Sequence, residues 1–168
     1  NNIRVGDAWN PVYTGTSINV TWPIQQWFHI AVVNAGSTQK LYLNGELVST
    51  TTGLDITPTT GNLRVGRMYS TFNEYWNGKI DEVKIWNTDR SSSIVSDMNT
   101  RAALNASGLV GYYDFNAGAG NVLGNMLSGS SQTTNATFLG TAMTYTDVKT
   151  VTSRTGNAKQ KVVSFERT

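Results

Sequence analysis

Short runs of β-branched and aromatic residues, each closed by Gly, Asn, Asp or Ser, limit what this chain can fold into more than any other feature. They include Trp27-Phe28-His29-Ile30-Ala31-Val32, Leu41-Tyr42-Leu43-Asn44-Gly45 and Gly78-Lys79-Ile80-Asp81-Glu82-Val83-Lys84-Ile85-Trp86. Segments of this length and make-up have the sequence character of antiparallel sandwich strands. The 168 residues, 39% of them hydrophobic, suffice for one buried core. Cysteine is missing altogether, which removes a disulfide framework, a thiolate metal site and a Cys nucleophile together. Stability must then come from packing, hydrogen bonds or an oxygen-ligated ion. No apolar run approaches the ~20 residues of a membrane helix, and no signal-peptide pattern opens the chain. A soluble unit without membrane insertion is therefore expected, either mature or a fragment.

The net charge of +2 hides an asymmetry. Residues 1–147 hold eight Lys or Arg against ten Asp or Glu, whereas residues 148–168 hold five against one. The reading divides the chain accordingly into a sandwich over residues 1–147 and a basic segment over residues 148–168, which is a final strand or the start of a following module. The five basic residues are scattered among Thr, Ser and Val rather than clustered, so no nucleic-acid partner is expected. Charged residues make up only 14% of the chain, and the surface is read as mostly uncharged and polar.

Periodicity places the elements. Ile18, Val20 and Trp22 alternate with polar residues until Pro23 stops the strand. Residues 27–34 are apolar on both faces apart from His29, which predicts a central strand. A turn at Gly36-Ser37-Thr38 leads to a strand over residues 40–44, with Leu41 and Leu43 inward. Asn44-Gly45 supplies a tight hairpin turn, and residues 46–49 return. Residues 63–66 form another short strand. Residues 66–77 crowd Arg67, Met68, Tyr69, Phe72, Tyr75 and Trp76 into a loop. A long strand is predicted over residues 79–86, with Asp81 on the face of Val83 and Ile85, and Glu82 on the face of Lys84 and Trp86. An acid on the core side needs a partner. The one helical pattern, residues 91–98, puts Ile94, Val95 and Met98 on one side, with Asp89 capping. Residues 109–115 are a strand, 118–131 a loop, 137–145 a weaker strand, and 161–165 a last alternating segment.

In order and spacing, these segments resemble the laminin-G-like, concanavalin-A-like lectin/glucanase superfamily. The motifs that carry the likeness are Trp27-Phe28-His29-Ile30-Ala31-Val32, Leu41-Tyr42-Leu43-Asn44-Gly45-Glu46-Leu47-Val48, Leu63-Arg64-Val65-Gly66 and Gly78-Lys79-Ile80-Asp81-Glu82-Val83-Lys84-Ile85-Trp86-Asn87. The later Gly108-Leu109-Val110-Gly111-Tyr112-Tyr113-Asp114-Phe115-Asn116 and Gly118-Ala119-Gly120-Asn121 also match bacterial members. The resemblance covers roughly residues 1–140. It implies an all-β fold, an antiparallel β-sandwich of the jelly-roll, concanavalin-A-like type with one short helix. Members place one or two strands ahead of the segment that opens this chain, so the missing edge is expected either upstream in a longer protein or from the C-terminal segments.

The same resemblance implies structural Ca2+ near the start of the strand that carries Asp81, with Asp114 and Asn125 as further ligands. Asn125 stands where relatives often carry Asp, which weakens the set. The residues themselves leave a second reading open, a buried Asp81 carboxylate that accepts backbone hydrogen bonds at a strand end. Calcium takes six to eight oxygens, and the sequence names fewer.

No catalytic set emerges. Glucanases of the superfamily space two acids along one strand, whereas Asp81 and Glu82 are adjacent and point to opposite faces of a regular strand. Glu74 with Glu82 is a weak remaining pair. His29, the single histidine, has no nucleophile or acid to form a triad. Of the loop aromatics, Trp22 and Trp76 are expected in the core, while Trp9, Arg67, Tyr69 and Tyr75 are expected to be exposed as a ligand-binding surface. Aromatic faces match the C–H faces of pyranose rings, and Arg and Asn supply hydrogen bonds. Three sequons, at Asn19, Asn105 and Asn135, matter only in a eukaryotic secretory pathway.

The resulting expectation is a non-catalytic adhesion or glycan-binding module, extracellular or at the cell surface, whose partners are a glycan or surface protein and other domains of the same longer chain. The alternatives are a structural spacer in a surface filament and an ancillary carbohydrate-binding domain of a polysaccharide-degrading enzyme.

Overall fold

The computed structural model describes residues 2–7, 14–19, 26–53, 65, 78–116, 122–127 and 136–137. Every strand pair among them is antiparallel. β1 (Asn2–Asp7) pairs with β2 (Thr14–Asn19) in a register that runs from Asn2↔Asn19 to Asp7↔Thr14. β3 (Ile30–Ala35), β4 (Thr38–Leu43) and β5 (Glu46–Thr51) form a meander in the order β3-β4-β5. β2 approaches β5 and β4 without hydrogen-bonded pairing, so the first ribbon adjoins the meander.

Two tight turns set the meander's register. Gly36, at φ +57°, turns β3 into β4. Asn44 and Gly45, at φ 50° and +87°, turn β4 into β5. Positive φ at both central residues is the geometry whose twist matches that of the flanking strands, and Asn-Gly adopts it at least cost. The Asn44 carboxamide oxygen also accepts from the backbone N–H of His29 at 2.9 Å, while the Asn44 N–H donates to the His29 carbonyl at 2.9 Å.

The central strand is β4, not the 27–34 segment that the apolar run suggested. β3 begins only at Ile30 and lies at one side of the described meander, with Val32 38% exposed. Hairpins on both sides of β4 decide its position. Leu41 is fully buried and Tyr42, on the opposite face, is 8% exposed, as befits a strand covered on both faces. A bulge between Leu41 and Tyr42 opposes Leu41 to Ser49 and Tyr42 to Leu47, leaving Val48 as the additional residue. Leu41 points inward as expected. Leu43 is only half-buried, and Gln39, on the same face, is more deeply buried.

β6 (Val83–Trp86) pairs with β7 (Leu109–Tyr113), with a register shift beyond Ile85. The strand predicted from residue 79 starts four residues later. Glu82 stands at φ 56°, outside the strand region, and the Asp81 carboxylate binds the Glu82 N–H at 2.9 Å, which occupies backbone that a ladder would need. Between the two strands, a 3₁₀ turn (Ser91–Ser93) runs into α1 (Ile94–Asp97). Asp89 accepts from the Ser91 N–H at 2.7 Å, a local turn bond one residue ahead of the N-cap position, which Arg90 holds without a side-chain cap bond. Ile94 is buried against Val33, Tyr42 and Ala31, so α1 packs on one face of the meander. Val95, expected on the same side, is 61% exposed. Adjacent helical residues are about 100° apart, and this short helix buries a narrow stripe. β8 (Val122–Leu123) falls within the segment expected to be a loop and pairs with β9 (Ala136–Thr137), at the start of the weaker expected strand.

Candidate functional site

The densest polar constellation among the described residues lies where β6 and β7 end. Tyr112, on β7 opposite Lys84, is completely buried. Its hydroxyl donates to Glu82 Oε2 at 2.7 Å and accepts from Arg101 Nε at 3.1 Å. Arg101 extends the chain to Asp114, its Nη2 lying 2.8 Å from Oδ2. The second Asp114 oxygen accepts from the Asn116 N–H at 3.3 Å. Lys84 Nζ stands 3.9 Å from Glu82 Oε2, and the two side chains retain only 6% and 8% exposure. The same ammonium donates to the carbonyls of Asp97 (2.9 Å), the last residue of α1, and of Thr100 (2.5 Å), just beyond it. Lys84 and Arg101 each lie 5.9 Å from the Tyr112 ring centre.

Burial sets the electrostatics of the cluster. It lifts the Asp81 carboxyl to about 6, and the neighbouring Glu82 charge adds to the lift. It pushes Glu82 up as well, against the Tyr112 hydrogen bond and the Lys84 charge. Burial pushes the Lys84 ammonium down, although the Glu82 charge opposes this. The Tyr112 hydroxyl is raised, first by burial and then by its bond to Glu82. His29 is held neutral, its pKa lowered to about 4 by burial and then by Lys84, and its Nδ1 is buried with no hydrogen-bond partner.

The three residues implied as calcium ligands have other occupations here. Both Asp114 oxygens are engaged, one of them by a guanidinium. The single carboxamide oxygen of Asn125 accepts from the N–H groups of Tyr112 (3.1 Å) and Leu127 (3.3 Å), which uses both of its lone pairs. Asn125 Nδ2 reaches the Val110 carbonyl at 3.5 Å, and the Met126 N–H donates to the Tyr112 carbonyl at 2.8 Å. Asn125 thus pins residues 125–127 alongside β7. Asp81 keeps one oxygen outside its bond to Glu82. This set does not fit a cation that asks for six to eight oxygens. Among the described residues, no group of three or more His, Cys, Asp or Glu is arranged to hold a metal.

Trp9, Arg67, Tyr69 and Tyr75, the expected ligand-binding residues, lie outside the described residues, as do Trp22, Trp76 and Glu74. Glu82, the acid with the most specific partners, was expected on the opposite face from the core-facing Asp81; the positive φ at Glu82 breaks the alternation that supported that phase. Tyr112 and Arg101 carried no sequence signal as a pair, because they stand 11 positions apart. Glu82 and Lys84, two apart on one face of the predicted strand, did carry one. With its carboxylate closed to solvent and hydrogen-bonded to Tyr112, Glu82 is poorly placed to protonate or attack a substrate. No helix among the described residues is long and apolar enough to cross a membrane.

Mouse (Mus musculus) Pappalysin-1 is 36% identical over 81 residues, which covers 45% of this chain and 5% of that protein. A crystal structure of residues 221–444 of an S-layer domain-containing protein from Clostridium thermocellum aligns with a TM-score of 0.42 at 22% identity, covering 56% of this chain and 49% of that one. The chain thus spans only a small part of the first relative and about half of the second. The laminin G family profile described as the concanavalin A-like lectin/glucanases superfamily matches residues 2–96. With antiparallel pairing throughout the described strands and one short helix, the chain belongs to that superfamily.

Proposed function

We propose that this chain is a non-catalytic recognition module of a larger surface or secreted protein, and that it binds a glycan or a surface protein. The observation that carries the reading is the commitment of Glu82. The buried acid at the end of β6 is hydrogen-bonded to Tyr112 and flanked by Lys84, so it serves the scaffold rather than an open cleft. The match to Pappalysin-1 supports the module reading, since the likeness occupies 5% of that protein's length. In this reading, rigid hairpins present loops that make the contacts, as loops on stable scaffolds commonly do. Trp9, Arg67, Tyr69 and Tyr75 are the proposed contact residues, with aromatic rings for sugar stacking and the guanidinium for hydrogen bonds. Fold alone does not decide the ligand.

A glycan array probed with the chain, in calcium and in chelator, tests this. The expected result is selective binding that Tyr69→Ala or Tyr75→Ala removes without loss of folding. Failure to bind any glycan would refute glycan recognition and leave a protein-binding or spacer role.

A further inference from the structure

Residues 87–108 leave β6 and return to β7, and the neck of this excursion is closed by the Asn87 N–H, which donates to the Gly108 carbonyl at 2.9 Å. Gly108 stands at φ +83°, and a Cβ there would lie 2.5 Å from Thr88 Oγ1, so the neck is built around a glycine. Above the neck the excursion bonds to itself. The Arg90 guanidinium forks onto both Asp97 oxygens at 2.9 Å, the Ser93 N–H donates to the Arg90 carbonyl at 2.8 Å, and the Met98 N–H donates to the Ile94 carbonyl at 2.9 Å. Its hold on the strands is of another kind. Ile94 is the one fully buried side chain among residues 87–108, seated against Ala31, Val33 and Tyr42. Val95 and Met98 lie close over Gly45, yet Val95 stays 61% exposed. The remaining ties are cationic: Lys84 on the Asp97 and Thr100 carbonyls, Arg90 over the Trp86 ring, and the half-exposed Arg101 on Tyr112 and Asp114. An attachment this thin in buried apolar surface belongs to the low-stability end of a structure.

We propose that residues 87–108 form a strap that hinges at its Asn87–Gly108 neck and opens as a unit while the strands stay folded. Beneath it runs an apolar strip, because Ala31, Tyr42 and Leu47 stand opposite one another across β3, β4 and β5 and so share a face. Leu47, at one end of the strip, is 52% exposed, whereas Tyr42, with Ile94 packed on it, is 8% exposed. In the closed state the occupant of the strip is thus the chain's own Ile94. Opening lifts Ile94 away, frees Lys84 from the two carbonyls and Arg101 from Asp114, and leaves Ala31, Tyr42 and Leu47 in one uncovered surface. A helix of four residues does not sustain its bonds once detached, so the strap melts locally as it opens.

Amide hydrogen exchange of the whole chain, followed by NMR at neutral pH without denaturant, tests this. The Ser93 and Met98 amides are expected to exchange together, with protection at least about tenfold below that of the β4 amides. Leu41→Val trims a side chain on the opposite face of β4 from Tyr42, which the opening of the strap leaves packed. It is expected to accelerate exchange in β4 several-fold and to leave Ser93 and Met98 unchanged. Because the chain contains no cysteine, Val33→Cys reports the departure of Ile94 directly, and it is expected to react with a thiol reagent at least about tenfold faster than Leu41→Cys. Equal protection of the strap and β4 amides in the unaltered protein overturns the proposal whether or not the variants fold, as does exchange of Ser93 and Met98 at unrelated rates. So does equal acceleration of both regions by Leu41→Val, or equal labelling of the two cysteines.

Discussion

Asp81→Asn should stabilise the chain at neutral pH, although it removes a charge from an ion-rich cluster. In the fold, Asp81 is half-buried beside Glu82, and its carboxyl titrates near about 6 instead of 3.8. A raised carboxyl pKa means that the folded state binds the proton more tightly than the unfolded chain does. The group's relative stability is therefore fully present below about pH 4 and is lost as pH rises to about 6. A shift of about 2 units corresponds to about 3 kcal/mol. Asp81 keeps some contact with water, and solvent screening reduces the usable figure to about 1–2 kcal/mol. Asparagine is the right probe, because its carboxamide oxygen can still accept from the Glu82 N–H as Asp81 does at 2.9 Å. Urea unfolding followed by tryptophan fluorescence, at several pH values from about 4 to 7.5, measures the difference. The variant should be more stable by about 1–2 kcal/mol at about pH 7.5, and the gap should close towards about pH 4. An Asn variant that is less stable at neutral pH, or whose gap does not change with pH, refutes the burial argument.

His29 should act in the opposite direction over the same range. Its pKa falls from 6.5 to about 4 in the fold, so the stability it contributes is present above about pH 6.5 and is lost as pH falls towards about 4. His29→Phe, which removes the orphaned Nδ1, should gain about 1–2 kcal/mol over the unaltered chain at about pH 4.5 relative to about pH 7.5, checked by the same urea titrations. Tyr112→Phe deletes the hydroxyl that joins Glu82 to Arg101; it should cost about 2 kcal/mol and cost more at neutral than at acid pH, since unbonded Glu82 is destabilising only when ionised. Equal urea midpoints for Tyr112→Phe and the unaltered chain would show that the network contributes nothing.

Much of the sandwich was legible because local chemistry and tertiary structure agree in it. Asn44-Gly45 demanded a hairpin from its φ requirements alone, and the hairpin is there, further fastened by the Asn44 side chain on His29. Asp89 announced the helical turn that it precedes, although its bond to the Ser91 N–H lies one residue ahead of the N-cap, Arg90. Errors arose where the order of strands in space, rather than the character of one strand, decided burial. The apolar 27–34 run has the character of a buried strand, yet β4 takes the centre because turns at both ends fold neighbours onto it. Hydrophobic pattern reports which faces need covering, not which strand receives neighbours on both sides.

The polar cluster shows a different limit. Alternation assigned Asp81 and Glu82 to opposite faces, and that inference holds only while φ stays in the strand region. One αL residue breaks it, and here that residue is Glu82 itself. A glutamate adopts αL at a cost of about 1–2 kcal/mol, so nothing in its type marks the place where the strand begins. What offsets that cost is distant in sequence: the Tyr112 hydroxyl, 30 residues away and 2.7 Å from Glu82 Oε2. The backbone irregularity and the buried network therefore depend on each other, and neither can be deduced without the other. Arg101 extends the same dependence to a third segment. It carries no periodic signal of its own, and it matters only because β7 brings Tyr112 and Asp114 to where its guanidinium can serve both.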